Sequence, residues 1–62
     1  MKLLKITTTD NTVEYLALDK ILSIQPQNHR IKILMGAGLY WFALPESLEI
    51  VDIMEVLTHE QL

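Results

Sequence analysis

Short stretches of apolar and polar residues in alternation, imperfect in the first of them, fill the first two-thirds of this chain. In residues 2–8, KLLKITT, Leu4 and Ile6 share one face, with Leu3 and Lys5 on the other. That is the period of a strand. Asp10-Asn11 follows as a hairpin turn, because both side chains can bond their own backbone and Asn tolerates positive φ. Residues 12–18 resume the alternation, with Val13, Tyr15 and Ala17 facing away from Glu14, Leu16 and Leu18. Residues 21–25, ILSIQ, make a third short strand, and Pro26 to His29 a turn, proline setting φ at its first corner. Residues 30–35 alternate most cleanly: Ile31, Ile33 and Met35 point one way, Arg30, Lys32 and Leu34 the other. Ile33 is therefore expected at the centre of the core. Gly36-Ala37-Gly38 turns the chain into a last strand over 39–44, LYWFAL.

Beyond that strand the period lengthens. Pro45 suits the first turn of a helix, where its missing N–H costs nothing. Glu46 and Glu49 sit where the positive end of a helix dipole favours them. From 46 to 59 the residues Ile50, Ile53, Met54 and Leu57 form one stripe at helical spacing, opposite Asp52, Glu55 and His59. Leu48 and Val56 fall on or beside the polar side and Val51 on a flank, so a second surface is expected to cover them. The expected fold is α+β: a small antiparallel β-meander of four or five strands with one C-terminal α-helix packed on the sheet. Turns of two to four residues exclude parallel crossovers. A single domain spans 1–62.

Composition sharpens this picture. The chain has 62 residues, half of them apolar, and no cysteine. A body this small is marginal without a staple, and neither disulfides nor thiolate metal sites are available. Self-association, most simply as a two-fold dimer, or a protein partner would supply the missing burial. After MKLL the apolar run stops at Lys5 and the threonines, so no signal sequence follows. No stretch reaches the ~20 apolar residues of a membrane span. Cytoplasm is the expected compartment. The net charge of −3 conceals an asymmetry: residues 1–45 balance to +2, and residues 46–62 carry five carboxylates with no lysine or arginine.

Few residues offer chemistry. Gly36-Ala37-Gly38 precedes a strand, lacks a third glycine and a GK[ST] ending, and so reads as a hairpin turn rather than a phosphate cradle. In Tyr40-Trp41-Phe42 successive rings alternate faces, so the three cannot form one stacking surface. One face belongs to the core; the other exposes a ring suited to an interface. Tyr40, Trp41, Leu48, Val51 and Val56 are the candidate interface. Arg30 and Lys32, with Lys2 and Lys5, are candidate nucleic-acid contacts, though so few cations on an acidic chain make nucleic acid the lesser partner. Asp52, Glu55 and His59 lie on one helical stripe, but three exposed ligands rarely hold a metal and no fourth is in view. No cofactor is implied. Ser23 and Ser47 have no adjacent histidine, so no catalytic nucleophile is assigned.

Across LALDKILSIQ, IKILMGAG and FALPESLEIV the chain resembles the FlbD family of small flagellar and swarming-motility proteins. Asp10-Asn11 matches that family's first turn, Ile21 and Ile24 its LIxxI positions, Gly38 its turn glycine, and Glu46-Ser47 its helix start. One extra residue lies between Gly38 and Phe42, and Leu39, Tyr40 and Trp41 replace the lysines usual there. A similar rhythm of KILxI, strand and SLE helix marks the β-core of LytTR-type DNA-binding domains, whose length and basic reading loops this chain lacks. The first resemblance implies a non-catalytic cytoplasmic accessory protein that acts by contact.

Overall fold

The period-two pattern folds as strands. A computed structural model describes residues 1–60, with side chains placed through Thr58. It contains β1 (Lys2–Thr7), β2 (Val13–Ala17), β3 (Ile21–Gln27), β4 (Arg30–Met35), β5 (Tyr40–Ala43) and β6 (Glu49–Asp52), followed by helix α1 (Ile53–Glu60). The fold is a small α+β fold, antiparallel throughout. Its six strands form two sheets, ordered β2-β1-β6 and β3-β4-β5, where the sequence implied one meander of four or five.

Turn chemistry explains the hairpins. Between β1 and β2, Thr8 is buried and its Oγ1 accepts the amides of Asp10 at 3.3 Å and Thr12 at 3.2 Å. Asn11 in the same loop takes a left-handed φ of 69°. Pro26 is no terminator: β3 runs on to Gln27, which pairs with Arg30 across Asn28-His29. Proline is tolerated there because β3 is a sheet edge with no ladder partner on its outer side. His29 takes up the turn with a φ of 64°.

The core lies between the sheets. Leu4, Ile6 and Leu16 come from the first sheet and Ile33 and Ala43 from the second, with Ile6 and Ile33 wholly buried. Leu18, Ile21, Ile31, Met35, Trp41 and Leu48 pack around them. The sheets join along β1. Residues 2–5 of that strand pair with β6, and its far end passes to β5: Leu44 donates to the Thr7 carbonyl at 2.9 Å and Thr9 to the Phe42 carbonyl at 3.0 Å. Between these two partners the Thr7 amide meets Ser47 Oγ at 3.0 Å, and that hydroxyl donates to the Leu44 carbonyl at 2.7 Å. Ser47 thus fills the gap where one strand changes neighbour.

The C-terminal segment departs from the pattern expected of it. Pro45–Ser47 makes a single 3-10 turn, and Glu49–Asp52 then extends along β1, Leu3 opposite Val51 and Leu4 opposite Ile50. The helix begins at Ile53 instead of Glu46. Two local forces decide this. The β-branched Ile50 and Val51 gain a ladder and a sheet neighbour. Asp52 Oδ1 accepts the Met54 amide at 2.9 Å, capping the helix there. The helix is also less covered than a helix packed on a sheet would be, with Met54, Glu55, Leu57 and Thr58 exposed.

Candidate interaction surfaces

Strand register decides which rings face outward. Ile33 pairs with Trp41 and Ile31 with Ala43, so Trp41 shares the core face. Leu34 pairs with Tyr40 and Lys32 with Phe42, which places Tyr40 and Phe42 on the outer face beside Arg30 and Lys32. There the four side chains interlock. The Arg30 guanidinium lies 3.7 Å from the Phe42 ring centre and Lys32 Nζ 4.7 Å from that of Tyr40. The rings themselves meet edge to face at 5.3 Å. Arg30 Nε also donates to Gln27 Oε1 at 3.0 Å, which fixes the guanidinium over its ring. Cation–π contact holds these charges against the sheet without neutralising them.

Lys2 and Lys5 do not join this group. They stand on β1 in the other sheet; Lys2 is paired to Asp52 at 3.6 Å, and Lys5 lies in register between Tyr15 and Glu49. The Lys2–Asp52 pair is the one ion pair found among the described residues. Accepting the Met54 amide, and to a lesser degree facing the N-terminal amino group and Lys2, holds the Asp52 carboxyl below its ordinary value.

Of the five candidate interface residues, only Tyr40 is well exposed. Trp41 packs against the core because it shares the face of Ile33. Leu48 also packs there, carried inward by the 3-10 turn and not held on the polar side of a helix. Val51 is half-buried on the sheet face it shares with Leu3 and Ala17, and Val56 is half-buried on α1. The late helix start turns Leu48 toward the core and sets Val51 in register with Leu3. A different apolar set takes their place: Ile50 on β6, with Met54 and Leu57 on α1, is 64%, 65% and 46% exposed. Among the described residues no strand pairs with the outer edge of β6. Register sets Ile50 opposite buried Leu4, so its exposure comes from its place on the open edge of the sheet and not from strand parity.

A cleft of about 230 Å³ opens between the Thr8–Thr12 loop and β5, with Asp10, Glu14 and three threonine hydroxyls on one wall and Tyr40 on the other. It contains carboxylates and hydroxyls but neither histidine nor cysteine. No cluster of metal-ligating side chains occurs among the described residues. The side chain of His59, third member of the acidic stripe, lies outside them. No helix among the described residues is long and apolar enough to cross a membrane. Comparison of the chain with protein-family models, with curated proteins and with solved structures finds no match.

Proposed function

We propose that this protein is a non-catalytic, cytoplasmic contact module that self-associates, most simply as a two-fold dimer. The observation that carries it is the exposure of Ile50, Met54 and Leu57 along an unpaired strand edge and the helix that continues it. Large apolar side chains left exposed on two consecutive elements of so small a body support an interaction surface. Tyr40, 53% exposed on the other sheet, is the second anchor. Aromatics at such places fill pockets and carry much of the energy of association. The resemblance to the FlbD family points the same way, toward an accessory protein acting by contact.

Light scattering behind size exclusion tests this. The wild type is expected to run as a dimer at high micromolar concentration, and a clean monomer there would remove self-association. Tyr40→Glu is expected to weaken the dimer while leaving the circular dichroism spectrum intact. Trp41→Glu is expected to unfold the chain, since its ring packs on the core.

A second reading is a single-stranded nucleic-acid contact on the outer face of β4 and β5, supported by the grouping of Arg30 and Lys32 with exposed Tyr40. Rings for stacking and cations for phosphate are what such a surface requires. With Lys2 and Lys5 on the other sheet only two cations serve it, against a chain charge of −3. That reading requires binding that falls steeply with added salt.

A further inference from the structure

The outer face of β4 and β5 and the C-terminal arm of β6 and α1 are opposites in charge and alike in carrying exposed apolar side chains. On the face, Arg30 and Lys32 lie over Phe42 and Tyr40, and none of the ion pairs among the described residues reaches either cation. On the arm Glu49 and Glu55 are exposed, as are Ile50, Met54 and Leu57, and Glu46 is exposed in the turn that leads into it. Residues 46–62 contain no lysine or arginine at all. Among the described residues neither surface finds its complement. Arg30 and Lys32 turn to aromatic rings, and the arm's one ion-paired carboxylate, Asp52, reaches Lys2 on its own sheet.

We propose that the two surfaces are complements of each other across two copies of the chain: the cationic aromatic face of one copy receives the acidic apolar arm of the other. This rests on the self-association proposed above and specifies how it is built. In a two-fold dimer the contact is made twice, face to arm and arm to face. The charges decide register and orientation, while Tyr40 and the arm's apolar side chains supply the buried area. Size permits it. A stable interface needs about 800 Å² per partner, and a body of 36 × 23 × 15 Å presents an area of that order on one broad side. A foreign acidic partner would satisfy only the face and would leave the arm uncovered. A second copy satisfies both.

Charge exchange tests the pairing. Two double variants are made, Arg30→Glu with Lys32→Glu, and Glu46→Lys with Glu49→Lys, each checked for a native circular dichroism spectrum and melting transition. Neither pair touches the core, so both are expected to fold. Each alone should dimerise at least about tenfold more weakly than wild type by sedimentation or light scattering, and an equimolar mixture should form a heterodimer. Raising salt from about 0.05 M to about 0.5 M should weaken the wild-type dimer and the mixture alike. A wild-type dimer that neither double variant weakens would overturn the pairing and leave self-association standing. A monomeric wild type would overturn both. Binding of a fluorescent single-stranded oligonucleotide at physiological salt, abolished by Arg30→Glu with Lys32→Glu, would overturn the pairing in favour of a nucleic-acid face.

Discussion

The two sheets are built from similar residues but by different routes. The β3-β4-β5 sheet is a run of hairpins, each strand paired with its neighbour in sequence. In β4 and β5 the faces alternate cleanly, with Ile31, Ile33, Met35, Trp41 and Ala43 inward and Arg30, Lys32, Tyr40 and Phe42 outward, while β3 carries a register shift between Ile21 and Ser23. The β2-β1-β6 sheet has one hairpin and one pairing that joins the two ends of the chain, Lys2 opposite Asp52. Closing so long a loop costs entropy before any contact repays it. The β3-β4-β5 sheet is therefore specified locally, and the β2-β1-β6 sheet only after the ends have met. Substitutions can separate these two regimes.

The largest effect is expected where the sheets depend on one another. Ile33 is wholly buried and packs with Ile6 and Leu4 across the interior. Ile33→Ala removes three carbons from that centre and should cost about 2–5 kcal/mol, enough to unfold a domain of this size. Urea denaturation monitored by far-ultraviolet circular dichroism measures it. A loss below about 1 kcal/mol would show that β4 presents its other face to the core.

Next comes the join itself. Ser47 satisfies the Thr7 amide where β1 leaves β6 and has not yet reached β5. Ser47→Ala leaves that part-buried donor without its partner, at a cost of about 1–3 kcal/mol. Because the loss falls on the contact between the sheets, amide exchange should speed in β6 and at Leu44 before it changes in β3 and β4. Uniform acceleration over both sheets would mean that they unfold as one unit and that the difference in route leaves no trace in stability.

The same division marks what could be read from sequence. The strand from Arg30 to Met35, the inward Ile33 and the turn at Gly36-Ala37-Gly38 follow from alternation and turn residues, because the interactions that form them are local. The segment from Pro45 was misread because two helix starts compete within it. Pro45 with Glu46 and Glu49 satisfies the rules for a first turn. So does Asp52 followed three residues later by Glu55, the spacing of a capping box. Tertiary pairing with β1 selects the second, and no local pattern contains β1. The aromatic pair Tyr40 and Phe42 was correctly placed on one face, but which face was outward depended on the register with β4. That Arg30 and Lys32 share a face was legible from strand parity, but that they meet those rings depended on the same register. The separation of Lys2 and Lys5 onto a second sheet was not.

Asp52 gives a smaller effect confined to the end-to-end sheet. Its carboxyl pKa is lowered in the folded chain from 3.8, first by the Met54 amide and then by nearby positive charge. A depressed carboxylate contributes stability that is fully present above its unfolded value. That contribution is lost as pH falls through the lower folded value. Asp52→Asn keeps a capping oxygen but has no proton to take up. Melting temperatures of wild type and variant should therefore converge as pH drops below 3.8 and differ most above it. Parallel curves through that range would show that neither Lys2 nor the helix start draws on the charge.

The smallest expected change concerns the local sheet alone and is a gain. In the turn between β4 and β5, Ala37 holds a left-handed φ of 66° and Gly38 one of 76°. For a residue with a Cβ that conformation costs about 1–2 kcal/mol. Glycine escapes the cost but has more freedom to lose on folding, about 0.4–1 kcal/mol. Ala37→Gly should therefore stabilise the protein by roughly 0.8 kcal/mol, the difference between the midpoints of the two ranges. The reciprocal change is informative because it isolates the backbone. A Cβ added at Gly38 would meet no atom within 4 Å, so Gly38→Ala introduces strain without collision and should destabilise by a similar amount. Both effects should appear in the urea midpoint with an unchanged slope, since neither residue buries surface. Opposite signs would establish that this hairpin is held by its own turn. Two losses of equal size would mean that Ala37 relaxes out of the left-handed region in solution and that β5 is held in place by its contact with β1 instead.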